Sequence, residues 1–348
     1  MQQQEYQHAE QTPLNNRFIN TDPRETSSEA APHAKLQPQR RRRHPLWLAL
    51  ALCLFALALS TGILGLTGSL SFSHSYKSLP TRAFTINGHG SLVVDDGSGA
   101  VHIHKGTTNQ VIIQGDEYVF GLVSNFNNTQ VQYAQQGNTV TLDVNEGWGI
   151  LGGSGVDLTI TVPANLDVTI HGDSTDADLT NIDGQVNADT SSGDLRLNHI
   201  NGPLNLNTDS GNVTIVNEQD AVSAHTDSGN IQISQLTGPV NLSADSGNIT
   251  LDQAQISGQD QMTTDSGNIS FTGTLDPHGS YKMTTDSGNI TLNLPANSSF
   301  QLSTSTDSGD VNNAFSSPTT GSAPHATLTL KTDSGDISLK VQSGPAPR

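Results

Sequence analysis

An all-β fold, a β-solenoid built from short stacked coils, is what this sequence predicts, and three observations carry the expectation. One polar hexapeptide, "TDSGNI" at Thr285–Ile290, returns along the second half of the chain with a step near 20 residues. Apolar and polar residues alternate on both sides of each copy, and nowhere in the repeats does apolar spacing follow a helix. Only 33% of the 348 residues are hydrophobic and 5% aromatic, which suits an array needing little core per residue better than an ordinary globule. An antiparallel β-meander or sandwich is the alternative architecture, because the local pattern fits both.

Asp-Ser-Gly stands at Asp209, Asp227, Asp245, Asp265, Asp286, Asp307 and Asp333, in steps of 18, 18, 20, 21, 21 and 26 residues. A degenerate copy, "TSSGDLRL" at Thr190–Leu197, lies another 18 residues upstream. Within "GPVNLSADSGNITL" (Gly238–Leu251), Val240, Leu242 and Ala244 alternate with Asn241 and Ser243, and Ile249 and Leu251 alternate with Asn248 and Thr250. Period-two alternation predicts strands with one buried face. Each unit therefore reads as strand, Asp-Ser-Gly turn, strand, second turn. The aspartate is expected to close an Asx-turn on a backbone N–H two residues on, and the glycine to supply a positive φ. One unit buries too few aliphatic side chains to offset the ordering of some twenty residues, so units must stack. The turn never lengthens. Extra residues gather at the opposite corner, as in "TGTLDPHGS" at Thr272–Ser280 and "AFSSPTTGSAPHA" at Ala314–Ala326, and such an edge is where a binding surface is expected.

Ahead of the repeats, Leu46 to Leu66 is a 21-residue run without formal charge. At about 1.5 Å per residue it spans roughly 30 Å, a bilayer's hydrocarbon thickness. Arg40–Arg43 precede it, which predicts a cytoplasmic N-terminus and an extracytoplasmic C-terminal domain. The long preceding tail argues for a retained signal anchor over a cleaved peptide. Leu52 before Cys53 argues against a lipoprotein anchor. The expected organisation is a disordered cytoplasmic tail (1–45), a transmembrane signal-anchor helix (46–68), a linker (69–83), an irregular N-terminal β part (84–170), regular solenoid repeats (171–341) and a disordered C-terminus (342–348).

Charge is divided unevenly. Residues 71–348 hold eight Lys/Arg against twenty-eight Asp/Glu, leaving −20. That surface repels nucleic-acid phosphate and anionic lipid and attracts cations and basic partners. Cys53 is the one cysteine, so no intrachain disulfide forms.

Stacking in register would bring the seven aspartates to about 4.8 Å from one another. A weak calcium ladder on Asp209, Asp227, Asp245, Asp265, Asp286, Asp307 and Asp333 is the one cofactor this pattern allows; exposed turns tolerate the repulsion without it. "GGSGVDLTI" at Gly152–Ile160 approaches a calcium nonapeptide but occurs once and carries Thr159 at an apolar position, so a flexible glycine loop beside Trp148 is the plainer reading. His102 and His104 share one strand face with no third ligand of matching spacing, which makes them solvated polar residues. There is no Gly-x-Ser-x-Gly elbow, phosphate loop, zinc-type cysteine pair or His-Glu-x-x-His, and seven equivalent Asp-Ser pairs describe a scaffold, not one activated nucleophile.

The "SGN-I" and "SGD-I" corners, the "L-T-G-P-V" second corners, the strand "VDLTITVPANLDVTI" at Val156–Ile170, and the looser "SLVVDDGSGAVHIH" and "GNTVTLDVNE" segments together resemble a bacterial adhesin-type domain, a β-strand-repeat cell-envelope family of unknown function. The resemblance covers about Phe84 to Val341. It implies a solenoid-type module tethered by one transmembrane helix, with no catalytic residues to carry over. The expected role is non-enzymatic: adhesion, envelope scaffolding or surface sensing, with a surface glycan or envelope protein as partner. A carbohydrate-active β-helix enzyme and an accessory to envelope-stress signalling are the alternatives.

Overall fold

The computed structural model describes residues 73–123, 129–145 and 150–342. The expected tail, transmembrane helix and Trp148 lie outside these residues. Among the described residues no helix is long and apolar enough to cross a membrane. All regular structure among them is β.

The strands in chain order are β1 (Ser73–Ser78), β2 (Arg82–Thr85), β3 (Gly90–Lys105), β4 (Gln110–Val123), β5 (Gln130–Gln136), β6 (Thr139–Asn145), β7 (Ile150–Val162) and β8 (Leu166–Asp183). The paired strands of the repeats follow: β9 (Val186–Thr190) with β10 (Leu195–Asn201), β11 (Leu204–Thr208) with β12 (Val213–Glu218), and β13 (Val222–Thr226) with β14 (Ile231–Gly238). Next come β15 (Val240–Ala244) with β16 (Ile249–Ile256), β17 (Gln259–Thr264) with β18 (Ile269–Leu275), and β19 (Ser280–Ser287) with β20 (Ile290–Leu294). The last five are β21 (Phe300–Ser308), β22 (Val311–Asn313), β23 (Thr319–Thr320), β24 (Ala326–Ser334) and β25 (Ile337–Val341).

Successive coils pair in parallel. Val222 lies beside Leu204 and Val240, and Ile231 beside Val213 and Ile249, so like stands over like in two strand columns. Inward positions are mostly aliphatic and fully buried, giving one continuous core. The repeats are therefore not the antiparallel meander; in them only β23 pairs antiparallel, over the first residues of β21. Parallel coiling begins at β3. Its two halves lie beside the two halves of β8, with Leu92 next to Val168 and Ile103 next to Leu179. Two arms cover that end: β6 with antiparallel β5, and β7 with antiparallel β4, which in turn carries β1 and β2.

The corner chemistry differs from the expected Asx-turn. No aspartate of the Asp-Ser-Gly series bonds to the N–H two residues on; the corner is held from coil to coil instead. Ser228 N–H donates to Asp209 O, Ser246 to Asp227 O and Ser266 to Asp245 O. The asparagine after each glycine forms a ladder: Asn230, Asn248 and Asn268 each donate both backbone N–H and side-chain Nδ2 to the Oδ1 of the asparagine one coil earlier. Before every aspartate but Asp245, which follows Ala244, a threonine caps a glycine carbonyl, as the buried Thr226 Oγ1 does to Gly211 O at 3.0 Å and Thr264 to Gly247 O at 2.9 Å. The expected positive φ occurs only in the last two coils, at Gly309 (156°) and Gly335 (154°); at the other corners glycine is required for close approach. A Cβ on Gly247 would lie 1.6 Å from Gly229 O, and one on Gly229 1.8 Å from Gly211 O.

Two features had no sequence signal. Each strand after the corner bends at a left-handed residue, a column of Asn181, His199, Asn217, Gln235 and Gln253 with φ between 53° and 59°. The bend ends at β18, where the register shifts and Gly273 lies against Ala254. The second feature is the order of the last coils. Strands β19 and β20 pair with β24 and β25, and these pair in turn with β21 and β22. The coil latest in sequence is thus inserted between the two before it. The long insertion Ala314–Ala326 carries the chain back, with Phe315 packed edge-on against Phe300 at 5.1 Å.

Candidate functional site

Inserting the last coil sets the order of the aspartate column as Asp209, Asp227, Asp245, Asp265, Asp286, Asp333, Asp307. The structure does bring the seven together along one edge. Most are exposed. The neighbouring column position varies, with Asp189, Asn207, His225 and Ser243 on successive coils. On the coil of Asp333 it is Lys331, whose Nζ lies 2.8 Å from Asp333. That contact holds the lysine pKa above its usual range, with Asp307 and Asp286 adding to the effect.

The start of this edge, where β3 and β8 turn their corners, carries two concavities side by side. On one side Asp95, Asp143, Asp173, Asp189 and His171 line a cleft of about 410 Å³. The register places them there: Asp143 pairs with Asp95, Asp95 with His171, and His171 with Asp189 across four parallel strands. Beneath them Asp96 is buried, and Thr175 Oγ1 donates to its Oδ2 at 3.1 Å.

Across the corner, Tyr76, Tyr118 and Phe120 with Asp157, Ser174 and Asp176 border a groove of about 520 Å³. Tyr76 is 67% exposed and Phe120 42%, in a chain with few aromatics. The tyrosine rings are tilted, 6.4 Å apart. The stretch "GGSG", expected as a flexible loop, is instead part of β7 and pairs with the strand that carries Tyr118 and Phe120. Tyr118 pairs with Gly155 and Phe120 with Gly153. A Cβ on Gly155 would meet Tyr118 Oη at 2.3 Å, so glycine lets the ring lie against the backbone. The carboxylates are oriented, since Asp157 Oδ1 accepts the Ala100 N–H and Asp176 Oδ1 the Asp194 N–H.

The remaining sequence candidates separate. His102 faces Asp178 at 3.9 Å, while His104 Nε2 lies 3.0 Å from Thr161 Oγ1, so no shared third ligand joins them. The second-corner edge, where binding was expected first, carries a smaller polar cleft lined by His199, Asn217, Gln219, Gln235, Gln253 and Gln255. Sequence reasoning missed two buried carboxylates under that corner. Glu218 is fully buried, and its desolvation raises the pKa to about 7 against N–H donors from Asp220 and Gln219. Burial likewise raises Asp260 to about 6, although its Oδ1 accepts the Val240 N–H. Burial pushes the adjacent Tyr281 hydroxyl up, and Asp260 adds to it.

Stacked parallel coils and a polar ladder edge define a solenoid-like, all-β repeat domain. The Toastrack DUF4097 family matches residues 89–276 and 274–340, more than half of the chain, and the chain belongs to that family. Among solved structures the chain is similar to a candidate adhesin from Bacteroides fragilis, 15% identical with a TM-score of 0.39 over 76% of this chain and 97% of that one. It is also similar to a candidate adhesin from Parabacteroides merdae (15%, TM-score 0.30, 77% and 97%) and a candidate cell adhesion protein from Clostridium sporogenes (12%, TM-score 0.20, 78% and 100%). No curated protein matches significantly.

Proposed function

We propose that the protein is a non-enzymatic adhesion module, held to the cell membrane by residues 46–68 with the Toastrack domain outside, and that it attaches to glycan-bearing surfaces. The observation that carries this reading is the groove at Tyr76, Tyr118 and Phe120, with oriented carboxylates at Asp157 and Asp176. Aromatic faces take the apolar side of a sugar ring, and carboxylate oxygens accept its hydroxyls. Anionic polymers are disfavoured by the −20 charge of residues 71–348. Full-length protein in lipid vesicles, tested on glycan arrays, should bind a defined set of neutral or amino sugars. Tyr76→Ala with Phe120→Ala should lower that binding at least about tenfold. Unchanged binding in the double variant removes the reading.

The acidic cleft favours a second reading, a carbohydrate-active enzyme, because Asp95, Asp143, Asp173 and Asp189 converge there, whereas later coils carry Asn207, His225 and Ser243 in the column of Asp95, Asp143 and Asp189. Such catalysis needs one carboxyl kept protonated beside an ionised one. The carboxyls that burial raises, Glu218 and Asp260, lie instead under the second corner. Release of reducing sugar from bound glycans, abolished by Asp143→Asn, would establish the enzyme over the adhesion module.

A further inference from the structure

We propose that His225, Asp227 and Asp245 form a binding site for one divalent first-row transition cation, zinc being the reference case. One ligand atom from each residue lies within 4.8 Å of the other two, and His225 Nε2 is already 2.9 Å from Asp227 Oδ1. Zinc bonds of about 2.0–2.2 Å to nitrogen and oxygen set tetrahedral ligand atoms roughly 3.3 Å apart. Rotation of exposed side chains closes the remaining gap.

The backbone fixes the spacing. His225 and Asp227 project from the same face of one coil, and Asp245 begins the corner of the next, where Thr226 pairs with Ala244. The site differs in kind from the rest of the column. Flanking His225 stand Asn207 and Ser243, so among the Asp-Ser-Gly coils this one alone joins an imidazole to two ladder carboxylates. Imidazole selects zinc, nickel, cobalt or copper, whereas calcium prefers six to eight oxygens. The same edge already accommodates a cation elsewhere: at the equivalent height the Lys331 ammonium contacts Asp333, in the field of Asp286 and Asp307. At the His225 coil no lysine fills that position, and a metal ion takes its place.

Three protein ligands leave coordination positions open to solvent. The ion would pin two successive coils together and offer an outward Lewis-acid point for a carboxylate or imidazole on an opposing surface. This inference stands apart from the aromatic groove, because it uses none of its residues.

The test is equilibrium dialysis of the full-length protein in detergent micelles against zinc chloride, with calcium chloride as a parallel arm. Histidines elsewhere in the chain set a background, so the readout is the difference between variants. His225→Asn and Asp245→Asn should each bind one zinc ion fewer per chain than wild type, while Asp286→Asn keeps the wild-type count. Cobalt should give visible absorption in the wild type that weakens at least about tenfold in affinity with His225→Asn. An unchanged zinc count in His225→Asn overturns the site. So does an equal loss in Asp286→Asn, which would mean diffuse binding along the ladder, or full displacement of the differential zinc ion by millimolar calcium.

Discussion

Glu218 offers a direct measurement of what a buried charge does to a stacked coil. It occupies an interior position, beside Leu236 of the following coil, and Ile182 and Ile200 pair at the matching point of earlier coils. Its Oε1 accepts the N–H groups of Gln219 and Asp220, each at 3.0 Å, while Oε2 has no partner. Burial moves the carboxyl from 4.5 to about 7. At about 1.36 kcal/mol per unit, ionisation in the folded state is disfavoured by about 3 kcal/mol. The folded pKa is raised, so the favourable contribution is complete below the unfolded value near 4.5 and is lost as pH climbs through about 7. About 2.5 kcal/mol of the change falls between pH 5 and pH 8. Replacing Glu218 with Gln keeps an Oε1 acceptor and mimics the protonated acid at every pH. Urea unfolding followed by far-ultraviolet circular dichroism, at pH 5 and pH 8, then isolates the term. Glu218→Gln should unfold near the wild-type midpoint at pH 5 and be more stable by about 3 kcal/mol at pH 8. Asp260 and the general −20 charge titrate in both proteins and cancel in the difference. Equal stability of the two proteins at pH 8, or a gain confined to pH 5, would refute the reasoning.

Three further outcomes test the corner. Gly247→Ala should cost at least about 3 kcal/mol, because its Cβ meets a carbonyl oxygen at 1.6 Å, whereas Gly137→Ala has no atom within 4 Å and should cost about 1 kcal/mol for its φ of +61°; comparative urea melts decide. Ala244 stands where neighbouring coils place a threonine that caps a glycine carbonyl, so Ala244→Thr should reach Gly229 O and stabilise by about 1 kcal/mol, read as a higher melting temperature. Asn248→Ala removes the acceptor of both Asn268 donors and should cost about 1–2 kcal/mol with faster amide exchange at Asn268, while Asn248→Asp should retain that protection.

What the sequence made legible followed from periodicity. Alternation at Val240, Leu242, Ile249 and Leu251 predicted the buried face, and those side chains are fully or almost fully buried. The recurring corner predicted stacking, and the columns are in register. Its chemistry was misread for a physical reason. Aspartate and asparagine both favour local turns, and a single chain gives no sign that Asn230 bonds across to Asn212 and not within its own corner. The left-handed column was hidden because Asn181, His199, Asn217, Gln235 and Gln253 are not one residue type, and glycine, the usual marker, is absent there. The aromatic groove was equally invisible, since Tyr76 meets Tyr118 only through antiparallel pairing of strands some forty residues apart. The acidic cleft likewise gathers Asp95, His171 and Asp143 from distant segments.

The inserted final coil ties the integrity of the stack to residues 319–341. During synthesis β21 and β22 emerge when β19 and β20 already present bare edges, and "STDSGD" can dock there as well as the later "KTDSGD". The mature arrangement demands that this early tenant yield its seat, or wait, until β24 and β25 arrive. A chain cut after Asn313 would therefore close up on a shorter stack with its Thr306 coil seated directly on the Thr285 coil, ordered to every spectroscopic eye yet wrong in sequence of layers.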